Sequence, residues 1–232
     1  MTFELTRFYR ISNGIFADFA TMAVRTGKSG PDGISVLVVP LKSTKGVTCL
    51  SMEISGGGAS GTTYIDLDDV LIPVENLVGV EGEGLKYVLS NFNHERLSLA
   101  ISATVQARKV LSTAFDHVMK REAFGKRLID QPVVRHRLAK CGADLEAQWS
   151  WTEQLLYSMT RLPKREADVR LGGLTALAKV KAGKVLEKCA SSAQLLLGGN
   201  SVTRGGKGEL IESESWTNRG QIAGRCPLVN VF

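Results

Sequence analysis

The chain has 232 residues, of which 44 % are hydrophobic and 22 % charged, with a formal net charge of +6. These values allow a sizeable core in one large domain or two small ones, and the mild cationic excess suits an anionic partner without choosing its class. Three histidines are too few for a His-rich metal site, four scattered cysteines without a CxxC pair do not make a disulfide scaffold, and no apolar run reaches the ~18 residues of a membrane span.

The N-terminal third reads as β structure. Phe19 to Val24 and Ile34 to Val39 are short apolar runs rich in β-branched residues, broken by a Gly-Lys-Ser-Gly-Pro-Asp-Gly turn. Val47 to Ile54 and the alternating Thr62 to Val70 are two further strands. Short strands separated by Gly/Pro turns predict an antiparallel sandwich or barrel. The glycines of Ser55 to Gly61 precede a strand, not a helix, so they are read as a turn and not as a P-loop. Gly79, Gly82 and Gly84 lack the spacing of a dinucleotide fingerprint.

The pattern turns helical after Gly84. Leu85, Val88, Leu89, Phe92, Leu99 and Ala103 predict one face of a helix reaching about Arg121. A second helix is expected from Gln131 to about Thr160, with Val134, Leu138, Ala139, Leu145, Trp149 and Leu156 inward. A third runs from about Arg165 to Leu197, starting after Pro163 and stopped by Gly198-Gly199. The fold class is therefore α+β: a sandwich-like or barrel-like β domain followed by a bundle of long helices. The cysteines read as buried thiols of a reducing compartment. Residues 1–25 lack the order of a signal peptide, and the C-terminus is not a peroxisomal address.

Two features carry chemistry. Glu95 sits on the ladder Val88, Phe92, Glu95, Leu99, so a carboxylate falls on an apolar stripe. Desolvation there favours a proton-abstracting base; a boundary glutamate that reaches solvent or pairs with a basic neighbour is the other reading. The basic run Lys120 to Arg127 lies between two helices. It suits a diphosphate, with Phe124 against an adenine, or is a solvated turn. It lacks the interleaved aromatics of a nucleic-acid site.

The segments Phe92-Asn93-His94-Glu95-Arg96-Leu97 and Arg121-Glu122-Ala123-Phe124-Gly125-Lys126, one helix length apart, resemble the acyl-CoA dehydrogenases. So do Ile11-Ser12-Asn13-Gly14, Asp66 to Gly79 (DLDDVLIPVENLVG) and Leu197-Gly198-Gly199-Asn200, in the family's order. The resemblance implies residues 1–79 as part of that family's middle β domain, 80–212 as its C-terminal helical bundle, and 213–232 as a non-matching tail. Both ends then read as truncated, without the family's N-terminal helical domain or its final helix. Arg10 stands where a tryptophan is usual.

By the same resemblance the cofactor is FAD, and the reaction is α,β-dehydrogenation of an acyl-CoA thioester, as in fatty-acid or branched-chain β-oxidation. Glu95 takes the position of the base. Ser12, Arg121, Phe124, Gln131, Gln194, Gly198 and Gly199 take cofactor-binding positions. Asn93 and Arg96 take positions at the CoA portion of the substrate, and no metal is expected. The implied partners are an acyl-CoA, an electron acceptor such as electron-transfer flavoprotein, and further copies in a dimer or tetramer, with no nucleic acid and no membrane span. The compartment implied is the cytoplasm or mitochondrion. An inactive remnant or interaction module of the same fold, or a flavin oxidase, are the alternatives.

Overall fold

The computed structural model describes residues 2–54, 60–209, 211 and 229–231. These residues form two compact units. One comprises the chain up to Asn91 together with the C-terminal strand, and the other begins at Phe92.

In the first unit, β1 (Thr2–Ile11), β5 (Thr63–Pro73) and β4 (Val47–Ser51) form one antiparallel sheet in the order β1-β5-β4. The second sheet has the order β6-β3-β2-β9, from β2 (Phe19–Arg25), β3 (Ile34–Pro40), β6 (Leu77–Val78) and β9 (Val229–Val231). Met22, Val24, Leu37 and Val39 of one sheet share a core with Ile65, Leu67, Val70 and Ile72 of the other. This is the expected sandwich.

The spacing of the inward residues in β5 has a local cause. Leu5 pairs with Val70 but Arg7 pairs with Leu67, so β5 carries one extra residue. Asp69 takes a positive φ of 48°, which the short polar side chain of an aspartate tolerates. The resulting bulge shifts the alternation by one, so Thr63, Ile65 and Leu67 point inward before it and Val70 and Ile72 after it.

Besides the two-residue strands, two strands lie outside the sequence reading. Thr2–Ile11 fitted no expected element, yet it forms β1. Val229–Val231, in the tail, pairs with β2 through Ala20 to Met22. The rest of the tail, 212–228 and Phe232, lies outside the described residues. So do Cys226 and Ser55 to Ala59 of the glycine turn.

The helices follow the expected bounds closely: α1 spans Gly84–Lys120, α2 Pro132–Arg161 and α3 Lys164–Leu197. Pro132 occupies the first turn of α2, where a missing N–H costs nothing. Gly198, at φ 57°, ends α3 by donating its N–H to the carbonyls of Gln194 and Leu195.

Their packing faces differ from the expected ones. On α1 the buried line is Leu97, Ala100, Ala103, Ala107, Val110, Ala114 and Val118. It consists mostly of alanines, which let neighbouring helices approach closely, and Leu89 is exposed. On α2 the buried set is Val134, Cys141, Leu145, Gln148, Thr152 and Leu155. Leu156 and Ala139 face outward, and Leu138 and Trp149 are half-buried. Gln148 and Thr152 conceal this face from a hydropathy reading. The Gln148 amide donates to Thr152 Oγ1 (3.0 Å) and to the Ala178 carbonyl (3.4 Å). Among the described residues, no helix is long and apolar enough to cross a membrane.

Candidate functional site

α1 carries Glu95. The side chain is half-buried and lines an open depression of about 450 Å³ with His94, Ser98 and Leu99. Glu95 lies on the flank of α1 away from the Leu97–Ala100 core line, as steps of ~100° per residue require. The stripe of Val88, Phe92, Glu95 and Leu99 is therefore a flank, buried at Phe92 and half-buried elsewhere, and not the bundle seam. Such a flank can hold a carboxylate beside apolar surface without sealing it from a ligand. One turn along, the Arg96 guanidinium lies 5.1 Å from the centroid of the Phe92 ring. That cation–π contact fixes Arg96 against Phe92 on the same helix.

Asn93 makes its contacts within the bundle. It is buried, its amide donates to the Asp168 carbonyl (3.1 Å), and its oxygen accepts from Thr175 Oγ1 (3.5 Å). Across from it, the place of a Cβ on Gly172 is 3.4 Å from Asn93 Oδ1. The amide thus joins α1 to α3.

The cofactor candidates of the bundle gather at one end. α1 leads into a two-stranded hairpin of β7 (Glu122–Ala123) and β8 (Lys126–Arg127), and α2 returns from the same end. The C-terminal part of α3 packs there too, since Ala193 and Leu197 share a cluster with Val110 and Ala114. Arg121 is thus exposed at the end that also carries Gln194, Gly198 and Gly199, and Gln131 is half-buried just before α2. At the hairpin tip Phe124 is 93 % exposed and has φ 58°, followed by Gly125 at φ 75°. Two successive positive φ values make the tight turn that a two-residue hairpin requires.

Sequence reasoning missed two basic neighbours of Arg121. His117 is pushed below its usual pKa by partial burial, then by the charges of Lys207 and Arg121. The i, i+4 spacing of His117 and Arg121 was a usable signal; the approach of Lys207 was not visible in sequence. In the β unit, Ser12 is exposed in the turn after β1, next to Asn13 at φ 66°. Its backbone setting is fixed from both sides: Asn13 N–H donates to the Ser60 carbonyl (2.8 Å), and a Cβ on Gly14 would meet Thr63 Cβ at 2.7 Å.

The family model described as acyl-CoA dehydrogenase, C-terminal domain, matches residues 82–218. The chain belongs to the acyl-CoA dehydrogenase family. An acyl-CoA dehydrogenase of Emericella nidulans, apdG, is 59% identical over 203 residues, covering 88% of this chain and 46% of that protein. A glutaryl-CoA dehydrogenase of Desulfococcus multivorans is 32% identical over 189 residues, 81% of this chain and 47% of its own length. A solved structure of a probable acyl-CoA dehydrogenase from Mycobacterium abscessus superposes with a TM-score of 0.84 at 28% identity, over 96% of this chain and 57% of that one. A glutaryl-coenzyme A dehydrogenase in complex with glutaryl-CoA gives 0.78 at 25% identity, over 94% and 54%. This acyl-CoA dehydrogenase chain thus spans about half the length of the relatives it matches.

The bundle end fits the adenosine diphosphate half of FAD by its chemistry. Cationic groups, an outward aromatic, and two glycines whose Cβ positions meet nothing within 4 Å stand at one place. An anion, a planar base and close backbone approach need those three things.

Proposed function

We propose that the protein carrying this chain is an FAD-dependent acyl-CoA dehydrogenase that removes hydrogen from the α and β carbons of an acyl-CoA thioester, with Glu95 as the base. The observation that carries the reading is the half-buried Glu95 carboxylate lining an open depression on α1, in a chain of this family. A carboxylate bordered by Leu99 stands beside an acyl group that fills the depression, which is the placement a base for the thioester α proton needs. Glu95 takes and holds that proton. Leu99 excludes water from the acyl chain, and Arg96 presents a positive charge to the CoA portion. When bound, FAD supplies the acceptor for the β hydride. Arg121 answers the diphosphate, Phe124 packs on the adenine, Gln131 and Gln194 bind the adenosine half, Gly198 and Gly199 let backbone approach it, and Ser12 meets the flavin ring. Electron-transfer flavoprotein is the proposed acceptor.

The test uses purified protein loaded with FAD, without oxygen, titrated with acyl-CoAs of graded length. Bleaching of the flavin absorbance supports the reading. Failure to retain flavin, or flavin that no acyl-CoA bleaches, supports the inactive remnant. Hydrogen peroxide release in air supports the oxidase. Glu95→Gln should retain flavin and slow bleaching by about a hundredfold or more; bleaching at the original rate would remove Glu95 from the mechanism.

A further inference from the structure

Cys141 on α2 and Cys189 on α3 are both 0 % exposed, and the proposed reaction uses neither. Both belong to one buried cluster, and Ser192, one turn from Cys189 on α3, reaches the Cys141 sulfur. The Cys141 thiol donates to Ser192 Oγ at 3.3 Å. At the rim of this pair, Lys188 forms an ion pair with Asp144 and donates to the Lys140 carbonyl (3.4 Å). The Lys188 charge acts on both sulfurs. A single buried cysteine needs no explanation beyond packing as a small hydrophobe. Two on facing helices, in one buried cluster with a cation at its rim, form a dithiol.

We propose that Cys141 and Cys189 are a redox modification site, closing reversibly into a disulfide between α2 and α3 when the protein meets hydrogen peroxide. Cys141 reacts first. Its sulfur attacks one peroxide oxygen, the O–O bond breaks, one water leaves, and Cys141 becomes a sulfenic acid. The Cys189 sulfur then attacks the Cys141 sulfur, the S–O bond breaks, and the Cys189 proton leaves with the second water. In sum, two thiols and one peroxide give one disulfide and two waters, a two-electron oxidation.

Cys141 is the first nucleophile because a donor and a positive charge act on its sulfur. The Ser192 hydroxyl can turn to donate to it, and Lys188 supplies positive charge. Burial pushes the Cys189 thiol up to about 12, with Cys141 adding to the shift, so Cys189 stays protonated until Cys141 has been oxidised. Ser192 acts as a positioning residue.

The experiment treats the folded protein with hydrogen peroxide, blocks remaining thiols, and digests with trypsin without reduction. Cys141 and Cys189 fall in separate tryptic peptides, 141–161 and 189–204, each with one cysteine. The expected product is the two peptides joined, two hydrogens lighter than their sum and separated again by dithiothreitol. The melting temperature should rise by roughly 5 °C on oxidation, because the link shortens the unfolded chain's reach, and should not rise in Cys141→Ala. Cys189→Ala should leave a Cys141 sulfenic acid that dimedone traps. Ser192→Ala should slow link formation several-fold while the melting temperature of the reduced protein stays put; an unchanged rate removes Ser192 from the site. Recovery of both peptides as blocked thiols, at a peroxide dose that oxidises the half-buried Cys49, overturns the proposal. So does a link from Cys141 to any other cysteine.

Discussion

Asn93 has a packing role that its neighbours in sequence do not reveal. A polar residue beside Glu95 and Arg96 looks like a ligand contact, but a helix turns ~100° per residue, so neighbours in sequence face different surroundings. Asn93 faces α3 and joins it through Asp168 and Thr175, whereas Glu95 faces the depression. Replacing Asn93 by Ala leaves the Asp168 carbonyl and the Thr175 hydroxyl without that partner, at about 1–3 kcal/mol. The denaturant midpoint should fall accordingly while the substrate KM of the loaded enzyme changes little; a raised KM with unchanged stability would return Asn93 to the substrate. His117 gives the pH counterpart. Its folded pKa is lowered, so the unfolded chain binds more protons between the folded pKa and the usual value of about 6.5. Its stability contribution is complete above about pH 6.5 and is lost as pH falls through the folded pKa. His117→Gln should flatten that part of the urea-midpoint profile, and an unaltered slope would count against it.

At the scale of elements, the three helices were readable almost to the residue, and Pro163 and Gly198 punctuate α3 in backbone terms that need no tertiary context. Their faces were less readable. Alanine gives α1 a packing line with little hydropathy contrast, and Gln148 and Thr152 are buried with the Gln148 amide N–H groups donating to Thr152 and the Ala178 carbonyl. β1 and β9 were unreadable because their pairing partners, β5 and β2, lie far away in sequence. The hairpin after α1 shows a conflict that sequence could not reveal. Phe124 is a bulky residue at φ 58°, a conformation that costs roughly 1–2 kcal/mol for most side chains. A strained, outward aromatic is worth its cost only if something binds it. Phe124→Asn should therefore leave the flavin-free protein as stable or about 1 kcal/mol more stable, since Asn tolerates this φ. Flavin retention through gel filtration should drop in the same variant. Full retention would reduce Phe124 to a turn residue.

For the whole molecule, the two units each have their own core, and the bundle leaves apolar side chains outside. On α3, Leu177 is 59% exposed, Val180 55% and Leu195 66%. These three lie within about 60° of one another around the helix axis, by the 3.6-residue period. Lys184 and Ser191, on the same sector, are exposed and interrupt it without closing it. A row of exposed leucine and valine on one face of a long helix favours burial against a second protein surface, and the assembly implied by the family resemblance supplies one: another copy of the chain. Changing Leu177 and Leu195 together to Glu places charges on that face without touching Ala178, Ala182 or Val185, which hold α3 to the bundle. Sedimentation equilibrium should then report a shift from dimer or tetramer toward monomer, with helical circular dichroism unchanged, because the bundle core stays intact. An assembly of the original size would show that this row is not between copies. A loss of helical signal at the same protein concentration would show that the bundle depends on it for its own fold.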